Sequence, residues 1–275
     1  MLKEGTDIKK PIYLIVILTL MSGCFIVGFL YAAPVDVPTE IQGLEGNIFN
    51  DKKLGIGLSI AAEADFLSSR KLDLADYWGG GTAKVKGQFY TSKIILTIIN
   101  KFDIYGIFGK AQNLGYESEE DYSVKPKDKL TWGVGLSVPI YEWKNYGIKF
   151  FADGKYRAVN NIDYNSNFQS SSPSPYEGGY YYYGGGSSAV PKFLVDWQEW
   201  QVALGAAKRF KYFMPYLGVK YSDFRESSID STNYANTTVG IFVGCAVTPI
   251  KALSIDLQGR FIDEIAFVVK ATYKI

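Results

Sequence analysis

The chain has 275 residues, a formal net charge of +1, and 16% aromatics, with 21 Tyr and 17 Phe beside 28 Gly and no histidine. A near-neutral balance excludes the basic field that nucleic acid requires. The missing imidazole removes the side chain best placed to move protons near neutral pH. Abundant aromatics and glycine favour strands and tight turns over a helical bundle.

Residues 1–33 read as a signal peptide. Lys3, Lys9 and Lys10 precede an apolar run, Pro11 to Tyr31, that exits through small residues, YAAP. The exit is imperfect, because Pro34 disfavours cleavage just before it and Tyr31 is bulky for its place; cleavage after Ala32 is left as an option. The run is long enough to span a bilayer, so an uncleaved anchor is the alternative. Cys24, in Met21-Ser22-Gly23-Cys24, loosely resembles a lipoprotein cleavage site, but the apolar run continues past it through Phe25, Ile26, Val27 and Phe29. With the signal removed Cys245 is the only thiol, which excludes an intramolecular disulfide. No cofactor or metal site is expected.

Residues 34–52 are polar and irregular, a leader rather than a core. Residues 53–275 then alternate with a period of two, which puts apolar and polar sets on opposite faces of a sheet. Ten strands are expected. The first eight cover about 54–66, 82–99, 102–113, 130–141, 146–159, 197–210, 213–224 and 237–248. In the second, the phase slips between Phe89 and Ile94, which predicts a bulge there. The last two strands lie within Ala252–Ile275 and meet at a tight turn, Asp263-Glu264. There Leu253, Ile255, Leu257 and Phe261, then Ile265, Phe267, Val269, Ala271, Tyr273 and Ile275, form one continuous apolar face. A chain ending in such a strand needs a partner for its free edge, and a closed barrel supplies one.

Long polar links (67–81, 114–129, 160–196, 225–236) alternate with short turns at Asn100-Lys101, Glu142–Asn145, Lys211-Tyr212 and Pro249–Lys251. Long connections on one rim and short ones on the other predict an all-β fold, a transmembrane antiparallel up-and-down β-barrel of ten strands, with eight as the alternative. Aromatics gather near strand ends. Tyr141, Trp143, Tyr146, Phe210, Tyr212, Phe213 and Tyr273 lie toward the short turns. Trp132, Tyr156, Trp197, Trp200, Tyr221, Phe224 and Phe261 lie toward the long links. Such girdles suit a membrane interface. A soluble barrel with its apolar face inward has the same period and remains the competing fold.

Segments such as FDIYGIFGKA and WGVGLSVPIYEW, with the terminal ALSIDLQGRFIDEIAFVVKATYKI, resemble small bacterial outer-membrane β-barrel proteins of the opacity and porin-like surface-antigen type. The resemblance covers about residues 53–275 and implies residence in the bacterial outer membrane. It implies contact with outer-membrane lipids and lipopolysaccharide, and assembly by the barrel-insertion machinery. Ile275 departs from the terminal Phe usual in that group, while Tyr273 fits it. Known enzymes of this architecture rely on imidazole, so a non-enzymatic role is expected.

The polar face supplies the candidate site, a charge network in the lumen. Its acids are Glu63, Asp65, Asp153, Glu199 and Asp256. Its bases are Lys84, Lys86, Lys149, Lys155, Arg157, Arg209, Lys220, Arg260 and Lys270. Positives outnumber negatives, which as an open lining would select anions; ion pairs filling a narrow barrel are the other reading. The link 160–196 carries Tyr176 and the run Tyr180, Tyr181, Tyr182 and Tyr183 among Gly and Ser, flat amphipathic contacts suited to an extracellular ligand. A structural or adhesive surface protein is therefore expected. A narrow porin-like channel and a soluble periplasmic ligand-binding barrel are the alternatives.

Overall fold

The period of two closes into a ring. The structure, a computed structural model, describes residues 33–45, 50–51, 55–73, 82–99, 101–117, 128–164, 193–227 and 232–275. The ring strands are β1 (Ile56–Asp73), β2 (Thr82–Ile98), β3 (Phe102–Glu117), β4 (Lys129–Trp143), β5 (Ile148–Tyr164), β6 (Phe193–Lys208), β7 (Phe213–Ser227), β8 (Val239–Ile250), β9 (Leu253–Phe261) and β10 (Glu264–Lys274). Each pairs antiparallel with its chain neighbours, and β10 closes on β1 from Glu264 opposite Arg70 to Lys274 opposite Ser59. Ten strands, not eight, make the barrel. Two short pieces lie off the ring. Asn50–Asp51 pairs with the start of β1, and Thr232–Ala235 bridges β7 to β1 above the short β9–β10 hairpin.

The apolar set faces outward. Ile60, Ile94, Ile104, Val134, Leu204, Val219, Val243 and Ile255 are all exposed, and the band runs around every strand. A soluble monomer does not leave so continuous an apolar surface in water. The polar set points inward and is buried, so the soluble barrel with an apolar pocket is overturned. Trp132 and Tyr141 mark the two girdles on β4. They are nine positions apart, and at about 3.3 Å per residue with a tilt near 40° the band is about 23 Å tall, which matches a hydrocarbon core.

Several strands outlast the band on the side of the long connections, here the upper rim. β1 continues through Leu67–Asp73, where the sequence suggests a link. Above the membrane the polarity reverses, because water is now outside and the narrow interior is dry. The alternation of β2 is unbroken from Thr82 to Ile98, with Val85, Phe89, Thr91, Lys93 and Thr97 buried and Lys84, Tyr90, Ile94 and Leu96 exposed. The expected bulge between Phe89 and Ile94 is absent. The register shift against β3 falls between Lys86 and Gln88 instead. What looked like a slip of phase is this reversal.

Glycines on the inner face make room for rings from neighbouring strands. A Cβ on Gly135 would strike the ring of Tyr105, and one on Gly244 the ring of Tyr216. Gly244→Val should therefore cost about 1–3 kcal/mol through overpacking, read as a lower denaturant midpoint in lipid vesicles. Gly154→Ala, whose Cβ would find its nearest atom at 3.9 Å, should leave the midpoint in place. Equal effects from the two would contradict this packing.

Candidate functional site

The inward face of β6 gives the plan of the lumen. From the upper rim it reads Val195, Trp197, Glu199, Gln201, Ala203, Gly205 and Ala207, all buried. Apolar, ionic and small residues follow in that order, and each type builds a layer with its counterparts on the other strands.

The small residues at the bottom make space for a plug, which the chain itself provides. Residues Ala33–Leu44, in the segment read as a leader outside the core, run inside the barrel, with Val35, Val37 and Ile41 packed against Phe151, Tyr216 and Phe242. Pro34 and Pro38 keep the first part extended. A single helical turn, α1 (Thr39–Gln42), follows and ends at Gly43 with φ +64°. Its start is met by Asp103, which accepts from Thr39 N at 2.6 Å and Thr39 Oγ1 at 3.0 Å. Gln258 holds Val35 at both backbone groups, at 2.8 and 3.0 Å. The plug leaves by the lower rim, where Glu40 pairs with Lys149 at 3.1 Å and Glu45 N donates to Lys251 O.

At its centre Asp36 takes three ammonium groups from three walls: Lys93 at 2.8 Å, Lys155 at 2.9 Å and Lys270 at 2.9 Å. Each of these lysines also meets a wall carboxylate: Glu63 at 2.6 Å, Asp153 at 3.6 Å and Asp256 at 3.4 Å respectively. Burial raises the Asp36 carboxyl, but Lys155, Lys270 and Lys93 outweigh it and hold it well below the ordinary carboxylate range.

Directly above lies a second ionic layer that crosses the bore. Arg70 reaches Glu199 at 2.6 Å, Arg157 reaches Asp65 at 2.8 Å and Glu199 at 3.0 Å, and Arg260 reaches Asp65 at 2.6 Å. Lys220 pairs with Asp263 at 2.8 Å and with Glu264. Above this the Phe89 ring from β2 stacks on Trp197 from β6 at 4.9 Å, Trp197 meets Phe224 at 4.8 Å, and the Arg157 guanidinium lies 3.9 Å from the centre of the Phe89 ring. Leu67, Leu72, Val85 and Leu114 complete that apolar layer.

The lumen thus gathers most of the predicted network: Glu63, Asp65, Asp153, Glu199, Asp256, Lys149, Lys155, Arg157, Lys220, Arg260 and Lys270. It excludes Lys84 and Lys86, which face outward on the stretch of β2 above the membrane, where charged residues meet water. Arg209 is exposed at the lower rim against Gly43 of the plug. Trp197 and Phe224, expected in the upper girdle, are inside for the same reason that Lys84 is outside. Sequence reasoning missed Asp36, Arg70, Lys93, Asp263 and Glu264. With them the excess of positive charge disappears: the seven cations of the two ionic layers meet eight carboxylates. The parity of β2 could have found Lys93, since it shares a face with Phe89 and Thr97. The tyrosines 176 and 180–183 lie outside the described residues.

Asp36→Asn should destabilise the barrel by about 3 kcal/mol, because it leaves three buried ammonium groups short of a counter-charge; denaturant titration in lipid vesicles measures this. Asp36 contributes to the wild-type pH response through its depressed carboxyl. Its contribution is complete above the unfolded value of about 3.9 and is lost as pH falls through the lower folded value. Protease protection of residues 33–45 should therefore hold from about pH 8 to about pH 5 and fail only in stronger acid. Release by pH 5 would contradict the assignment.

No family model and no curated protein matches the chain. Among solved structures it is similar to the translocator domain of the autotransporter NalP from Neisseria meningitidis (11% identity, 86% of this chain and 92% of that one, TM-score 0.43). It is also similar to the outer-membrane protease OmpT from Escherichia coli (9% identity, 80% and 96%, TM-score 0.37). A third likeness is to the attachment invasion locus protein Ail of Yersinia pestis (13% identity, 80% and 97%, TM-score 0.30). At this distance the likenesses say nothing about what this chain does. By its own geometry the chain is a closed, ten-stranded antiparallel barrel with an apolar band outside and a bore filled by its own residues.

Proposed function

We propose that this chain is a non-conducting, non-enzymatic barrel of the bacterial outer membrane that works through its extracellular rim, as a structural or adhesive surface protein. The filled bore carries the reading. The plug, the ionic layers and the Phe89–Trp197 stack succeed one another along the axis, and each joins opposite walls. Solute passage would require breaking buried ion pairs, and stripping even one partner from such a pair costs several kcal/mol. With transport disfavoured, the upper connections are what remains to meet the environment. The link 165–192 is the longest of them and carries the tyrosine run. The outward Tyr273 near the lower rim suits recognition by the barrel-insertion machinery, and the outward band suits outer-membrane lipids and lipopolysaccharide.

Planar bilayers test the sealed bore. The wild-type barrel should add no conductance steps above leak, and neither should Asp36→Asn, because the upper ionic and aromatic layers remain. A stable open level from the wild type would favour the narrow channel instead. Deletion of residues 170–188 should reduce attachment of the cells to host surfaces while leaving the heat-dependent gel shift of a closed barrel unchanged. Undiminished attachment would remove the adhesive half of the reading.

A further inference from the structure

We propose that Ala33 is the mature N-terminus, made by cleavage between Ala32 and Ala33, and that its α-ammonium is itself a seated part of the plug. Three observations point to it. First, the chain runs downward from Ala33, which is fully buried, to Glu45 at the lower rim. Second, the bore immediately above is crossed from wall to wall by Arg70–Glu199 and Arg157–Asp65, then by Phe89 on Trp197. Below, Phe151, Tyr216 and Phe242 pack tightly around the plug. A long apolar segment joined to Ala33 could not share this bore with those side chains. Third, the Gln201 amide sits beside the start of the plug, with Nε2 donating to Pro34 O at 3.5 Å, while its Oε1, buried, has no hydrogen-bond partner among the described residues. A buried acceptor left without a donor is costly. An ammonium carries three donors where a peptide N–H carries one.

The cleavage adds water across the Ala32–Ala33 amide, leaving a carboxylate on Ala32 and an ammonium on Ala33. Ala32 is the small residue that a signal peptidase requires directly before the cut, Leu30 departs from the small residue usual two places earlier, and Pro34 is the second residue after the bond rather than the first. Because Ala33 is inaccessible in the finished barrel, cleavage precedes seating. Processing therefore creates the group that completes the seal.

N-terminal sequencing and intact mass of the barrel purified from outer membranes should give a chain beginning Ala33-Pro34-Val35-Asp36. A start at Met1, at Cys24 or at any residue after Ala33 would overturn the proposal. The seated ammonium has its own readout. Chains refolded in lipid vesicles either from Ala33 or with four extra residues ahead of it should differ, the extended chain showing a lower denaturant midpoint and a protease-sensitive plug. Gln201→Glu should raise the midpoint of the chain beginning at Ala33 and not that of the extended chain. An equal shift in both would show that Gln201 does not meet the ammonium, and would overturn that half of the proposal.

Discussion

A bore too narrow to hold bulk water obliges the charges inside it to find partners, most of them across the bore or on the plug. Desolvating an ion costs several kcal/mol, and only close, well-aligned counter-charges offset that cost. Arg157 accordingly faces both Asp65 and Glu199, and Asp36 sits among three ammonium groups. Arg70–Glu199 and Arg157–Asp65 join strands that are not neighbours in the sheet, while Arg157–Glu199 ties the adjacent β5 and β6. The sheet fixes the wall, and the ion pairs fix what stands across it.

The same constraint explains the plug. The walls of the lower half bring Lys93, Lys155 and Lys270 close together, each with one carboxylate of its own. One further negative charge, supplied from the axis, sits within reach of all three. The leader delivers it on an extended stretch framed by Pro34 and Pro38. Small residues on β6 and glycines such as Gly244 leave the volume that the leader and its surrounding rings then occupy. Charge placement and packing thus select the same twelve-residue segment.

Much of the architecture was legible because lipid-facing positions admit few residue types. Alternation of Ile, Leu and Val against Gly and charge marked every strand, their number, and the side on which the long connections lie. Legibility failed where a strand leaves the membrane. Charge alone does not tell inside from outside there, so Lys84 and Lys86 were placed in the bore and Trp197 and Phe224 in the girdle. Keeping the parity of Tyr90, Ile94 and Leu96 through the whole strand would have corrected all of β2. Asp36 was hidden differently. A lone acid in an irregular segment has no periodic signature, and the only trace of it was a surplus of basic residues in a bore that had to be neutral.

Among the described residues the seal is built from strand and leader side chains together with Asp263 of the short β9–β10 turn, and none of it belongs to a long upper connection. On the function proposed above, barrier and display would be separate inheritances within one chain, and the upper connections could lengthen, shorten or change composition without opening the bore. A barrel whose extracellular loops fold inward to close the pore cannot vary those loops so freely.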